Sequence, residues 1–133
     1  AILMGGAAGG FLGPADLDTP LTFEGLRAAG AALGSGVVLV FDETVDLADI
    51  LVRIAAFFRD ESCGQCVPCR VGTERQEEVL ERLMRKRPIG SVDREIALLK
   101  EMGQAMRDAS ICGLGHTASS AIESALSRWR IFS

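Results

Sequence analysis

The sequence predicts an α+β chain that is mainly α, in which a short β/α segment leads into an antiparallel four-helix bundle. Three observations carry that prediction. Val37-Val38-Leu39-Val40-Phe41 is a continuous apolar, β-branched run bounded by Gly36 and by Asp42-Glu43, and it reads as a buried strand. After Asp46 the apolar residues recur at three- and four-residue steps in four successive stripes, the pattern of amphipathic helices. Cys63, Cys66 and Cys69 fall between the first two stripes and Cys112 between the last two, so up-down packing brings all four thiols to one end.

Taken in order, Ile2-Leu3-Met4 is a short apolar run that opens into the glycine-dense stretch from Gly5 to Pro14. That stretch lacks the Gly-Lys-Ser/Thr of a P-loop and does not place G-x-G-x-x-G at a helix start. It is expected to be a turn-rich connection with its backbone close to a neighbour. Asp18-Thr19-Pro20 signals a helix over 22–33, with Phe23, Leu26, Ala29, Ala32 and Leu33 near helical spacing and Gly34 as its stop. The strand at 36–41 follows.

The first bundle helix starts at Asp46 and carries Leu47, Ile50, Leu51, Ile54, Phe57 and Phe58 toward the cysteine loop. A second is expected over 68–86, burying Val79, Leu80, Leu83 and Met84. Ser91 can cap a third, running to Asp108, with Val92, Ile96, Leu99, Met102 and Met106 inward. Thr117 opens a fourth, with Ile122, Leu126 and Trp129 inward. The Met and Phe residues on these stripes read as core.

Composition bounds the function. The chain has 133 residues, 48% of them hydrophobic, enough for a core of ordinary globular size. A formal net charge of −4 argues against a nucleic-acid binder, which needs concentrated positive charge. The one basic run, Arg85-Lys86-Arg87, precedes Pro88 and complements a helix C-terminus. No apolar run approaches the roughly 18 to 20 residues of a membrane span, and no basic start precedes an apolar stretch. A soluble, cytoplasmic chain without direct membrane insertion is expected. Because it begins at Ala1-Ile2-Leu3-Met4-Gly5 without an initiator Met, it is also expected to be a piece of a longer polypeptide.

The chemistry sits in Glu61-Ser62-Cys63-Gly64-Gln65-Cys66-Val67-Pro68-Cys69-Arg70. Three cysteines two residues apart can aim their sulfurs at one object only if the backbone curls, and Gly64 eases the curl. Curling turns N–H groups inward, where they bond thiolates and sulfides, and Gly113 and Gly115 can do the same beside Cys112. Pro68 suits the first turn of a helix whose positive end faces the sulfurs. Four thiolates fit a [4Fe–4S] cube or a tetrahedral zinc ion. The 3+1 division favours the cube, whereas structural zinc draws on two C-x2-4-C pairs. A disulfide scaffold is not needed in a chain with this core and only 4 cysteines. Arg70 can offset cluster charge or lie on the surface, and His116, the only histidine, reads as solvent-facing or structural.

With Cys112-Gly113-Leu114-Gly115 added to the cysteine block, the chain resembles the C-terminal part of the 51 kDa-type flavoprotein subunit of NADH:quinone oxidoreductase, respiratory complex I. The same family includes subunits of NAD-dependent formate dehydrogenases and NAD-reducing hydrogenases. Gly5-Gly6-Ala7-Ala8-Gly9-Gly10-Phe11-Leu12, Leu17-Asp18-Thr19-Pro20-Leu21 and Val40-Phe41-Asp42-Glu43-Thr44 resemble the end of that subunit's SLBB β-grasp domain. The resemblance implies residues 1–44 as a partial β-grasp unit and 45–133 as an iron–sulfur helical bundle. It further implies that Cys63, Cys66, Cys69 and Cys112 ligate one [4Fe–4S] cluster that exchanges electrons with NADH-reduced FMN. FMN and NAD would bind in an upstream domain that has no counterpart here. The implied partners are the rest of the flavoprotein subunit and other iron–sulfur subunits of an oxidoreductase, held peripherally at the cytoplasmic face of the membrane. The alternative is a structural module stapled by a four-cysteine zinc site, without redox activity.

Overall fold

The computed structural model describes residues 1–133, arranged as three short strands, six α-helices and two single-turn 3-10 helices. These are β1 (Ile2–Met4), β2 (Gly10–Leu12), α1 (Phe23–Ala28), β3 (Val38–Val40), α2 (Leu47–Glu61), α3 (Val67–Met84), α4 (Val92–Ala109), α5 (Gly113–Thr117) and α6 (Ser120–Arg128). The α+β, mainly α class follows directly. No helix is long and apolar enough to cross a membrane.

The sheet is antiparallel in the order β2-β1-β3, with Leu3 opposite both Phe11 and Leu39. Two expectations need correction here. The glycine-dense stretch is more than a connection, because it turns β1 back into β2. Its close backbone approach is real: a Cβ on Gly9 would stand 1.6 Å from the Met4 carbonyl oxygen, so only glycine fits the turn. The strand within 36–41 is an exposed edge rather than a buried one, with Val40 74% exposed. Apolar, β-branched composition favours a strand but cannot say which strand lies over the core. That place is taken by β1 and β2, whose Leu3, Met4, Phe11 and Leu12 are buried.

The helix expected over 22–33 is only the six-residue α1. Thr22 caps it by accepting the Gly25 N–H at 3.0 Å, and Gly30, at φ +80°, ends it early. Leu26 is its one buried residue, packed with Met4 and Leu12 under the sheet.

The bundle helices follow their caps. Asp46 accepts the Ala48 N–H at 2.9 Å to start α2, and Ser91 accepts the Arg94 N–H at 3.2 Å to start α4. Pro68 stands in the first turn of α3, where a missing amide hydrogen costs nothing. Leu51, Ile54 and Phe58 of α2, Val79, Leu80 and Leu83 of α3, and Leu99 and Met106 of α4 form one core with Ile122 and Ala125 of α6. Met84, expected inward, lies exposed at the end of α3.

The fourth bundle helix is broken in two. Thr117 ends α5, its hydroxyl donating to the Gly113 carbonyl at 2.7 Å instead of capping a new helix. At the break the buried Gln76 amide of α3 donates to the Ala118 carbonyl at 3.0 Å. Trp129 lies just beyond α6, half-buried, its ring edge-on to Phe11 with centroids 6.1 Å apart. Phe11 also donates its N–H to Ser124 at 2.8 Å, and Arg128 bonds Asp16 at 2.7 Å and the Ala29 carbonyl at 2.6 Å. Through these contacts α6 holds the sheet segment onto the bundle, and Leu3 and Phe11 join the helical core.

At the bundle end away from the cysteines, Arg82 of α3 grips the buried Glu95 of α4 with bonds of 2.8 and 2.9 Å. The Ile89 N–H adds a third at 2.8 Å. The Arg82 bond, followed by that of Ile89, holds the Glu95 carboxyl below the usual carboxylate range although burial pushes the other way. The connection between α3 and α4 is thereby closed by a bidentate ion pair.

Candidate metal centre

Each cysteine is placed by a helix end. The C-cap of α2 is Ser62, and the chain then turns through Cys63 and Gly64, whose φ of +79° belongs to the left-handed region. Cys66 is the N-cap of α3, and Cys69 lies within that helix's first turn. Cys112 is the N-cap of α5, three residues past the end of α4. Neither capping cysteine spends its side chain on a cap hydrogen bond. The up-down course of α2, α3 and α4 brings both connections to one end, as the sequence predicts.

There the four cysteines line a single cavity of about 80 Å3, together with Glu61, Ser62, Gln65, Ser110, Leu114 and Gly115. All four are free thiols; Cys69 is buried, Cys66 half-buried, and Cys63 and Cys112 exposed. The deep wall is thus formed by Cys69 and the outer rim by Cys63 and Cys112. Four thiols on one cavity wall provide the ligand set of a four-cysteine metal site.

The cavity wall is built to receive negative charge on sulfur. The Ile111 N–H donates to Cys66 Sγ at 3.3 Å. Ser62 Oγ lies 3.4 Å from Cys69 Sγ and accepts the Gly64 N–H at 3.4 Å, which leaves its own hydrogen for the sulfur once that sulfur is a thiolate. Thr73 pins the backbone at Cys69 by donating to its carbonyl at 2.8 Å. The positive end of α3 points to the same place.

Ser110 Oγ is the one buried side-chain polar atom in the chain without a hydrogen-bond partner. A buried unpartnered hydroxyl costs about 1–3 kcal/mol, so such an atom calls for an explanation. Here the surroundings supply one, because Ser110 lines the same cavity as the four sulfurs. Gly115 makes room for it: a Cβ there would stand 2.1 Å from Ser110 Oγ and 3.2 Å from Cys69 Cβ. The donor set, the cavity and the spare hydroxyl together fit an iron–sulfur cluster.

Other residues singled out by the sequence fall into plainer places. Arg70 is exposed and folds back so that its guanidinium donates to the Gly64 carbonyl, bracing the loop between Cys63 and Cys66. Glu61 lies on the rim. His116 is structural: its Nε2 faces the Ser110 carbonyl at 2.6 Å, and since a carbonyl only accepts, that nitrogen carries the proton. Ser62, Ser110 and the Ile111 N–H are absent from a reading of the cysteine spacing. Both serines occupy helix C-caps, and in sequence nothing separates them from ordinary helix ends.

Comparison with known proteins finds relatives along most of the chain. Residues 49–131 match the family described as the NADH-ubiquinone oxidoreductase-F iron-sulfur binding region. The chain is 38% identical over 122 residues to the NADP-reducing hydrogenase subunit HndC of Solidesulfovibrio fructosivorans, a match spanning 88% of this chain and 23% of the relative. With the F subunit of the NADH-quinone oxidoreductase of Mycobacterium tuberculosis it shares 36% over 126 residues, 95% of this chain and 28% of the relative. The crystal structure of an NAD+-reducing [NiFe]-hydrogenase in the H2-reduced state superposes with a TM-score of 0.83 at 32% identity, over 98% of this chain and 22% of the matched one. The chain therefore spans about a quarter of the length of these relatives. It belongs to the NADH-ubiquinone oxidoreductase-F iron–sulfur binding family, whose cofactor is a [4Fe–4S] cluster.

Proposed function

We propose that Cys63, Cys66, Cys69 and Cys112 hold one [4Fe–4S] cluster, and that the chain is the electron-transfer module of an NAD(H)-linked oxidoreductase. The observation that carries this reading is the convergence of all four thiols, from two separate connections, on one cavity. When bound, the cluster supplies one-electron transfer with little change of geometry. The protein's part is to hold four thiolates, to direct the Ile111 N–H and the Ser62 hydroxyl at two of them, and to keep water from the deep side at Cys69. Exposure of Cys63 and Cys112 on the rim leaves one side of the site open to a redox partner.

The relatives include both an NADH-quinone oxidoreductase and hydrogenases that reduce NAD+ or NADP, reactions that run electrons in opposite directions through such a module. We assign residues 45–133 to the cluster bundle and 1–44 to the end of a β-grasp unit docked on α6. In this reading electrons pass between the cluster and FMN that exchanges hydride with NAD(H) elsewhere in the same subunit. Further iron–sulfur subunits of a complex at the cytoplasmic membrane face complete the path.

The test is electron paramagnetic resonance on the complete protein, purified without oxygen. NADH, or dithionite in its place, is expected to develop the signal of a reduced [4Fe–4S] cluster from a silent oxidised state. A protein that retains its iron but stays silent with both reductants would rule out electron transfer.

A further inference from the structure

We propose that the Ser110 hydroxyl is a positioning and tuning group, donating its hydrogen to a sulfide of the bound cluster and raising the cluster's reduction potential. The inference rests on the cluster assigned above. It adds a residue that cysteine spacing does not mark.

Four observations converge on this atom. Ser110 Oγ is buried and unpartnered, the only side-chain polar atom of the chain in that condition. It belongs to a residue of the cavity wall shared with all four cysteines. Its backbone is fixed on both sides, since the Ser110 N–H donates to the Met106 carbonyl at 3.1 Å and the His116 ring donates to the Ser110 carbonyl at 2.6 Å. Gly115 lies against the hydroxyl where any side chain would displace it. The other wall hydroxyl, Ser62, already faces Cys69 Sγ. A rigidly held donor beside the sulfur of a bound cluster stabilises the state with more negative charge on that sulfur. That state is the reduced one, so the potential rises.

The test compares the parent chain with Ser110→Ala and Ser110→Thr, each carrying its cluster, by anaerobic redox titration followed by electron paramagnetic resonance. Ser110→Ala is expected to disfavour the reduced state about tenfold, a fall of about 59 mV for one electron. Ser110→Thr keeps the hydroxyl and is expected to titrate near the parent. Without its cluster, Ser110→Ala should be no less stable than the parent, because the change removes an unpartnered polar atom. Should the alanine variant lose its iron, Ser110→Gly, which also removes the hydroxyl and adds no ligand, takes its place with the same direction of shift expected. An alanine variant that retains full iron and titrates with the parent would overturn the proposal, as would equal shifts in the alanine and threonine variants. A parent chain that binds no iron would overturn the cluster assignment as well, so the two failures are distinguishable.

Discussion

Cys112→Ser is expected to lose most of its iron and sulfide and to melt about 10 °C below the parent. Cys112 is the one thiol that reaches the cavity from the second connection, at the N-cap of α5. A serine hydroxyl keeps the cap geometry but is a poor thiolate substitute, because the ligand must be deprotonated near neutral pH. A group bound a hundredfold above its Kd stabilises the fold by about 2.7 kcal/mol, and for a chain of this length each kcal/mol moves the melting point by about 4 °C. The loss should fall on the junction of α4 and α5, where the cluster would tie Cys112 to Cys69 of α3. Iron analysis and thermal denaturation check it; full iron content with an unchanged melting temperature would remove Cys112 from the ligand set.

Gly115→Ala is expected to cost about 2 kcal/mol and to lower cluster content, an unusual effect for adding one methyl group to a short helix. The added carbon would stand 2.1 Å from Ser110 Oγ and 2.5 Å from Ser110 Cβ. A hydroxyl can rotate away, but Ser110 Cβ cannot, because the N–H of that residue is bonded to Met106 at the end of α4. The helix α5 must therefore shift, and Cys112 shifts with it. Gly113→Ala is the matched control, since a Cβ there meets nothing within 4 Å. It should be neutral by the same denaturation and iron assays. Equal behaviour of the two variants would show that the close packing of Gly115 does not matter to the site.

Much of this was legible in the sequence because local signals agree with the tertiary result. Asp46, Ser91 and Pro68 mark helix starts that the structure keeps, and the stripes of α2, α3 and α4 meet in one core. Once those connections alternate, the meeting of Cys112 with the triplet follows from topology alone. The misses have a common cause, which is that they depend on what lies across the fold. Val38–Val40 carries the composition of a buried strand, yet burial is decided by which strand lies over the bundle, and β1 and β2 hold that position through Leu3 and Phe11. The fourth helix breaks where Gln76, distant in sequence, meets the Ala118 carbonyl. Ser110 reads as a helix end until Gly115 and the four cysteines are seen around it.

Counting iron and acid-labile sulfide in the anaerobically purified chain tests most directly whether one cluster sits on the four thiolates. About four of each per chain is the predicted result. One zinc per chain with no sulfide would contradict it.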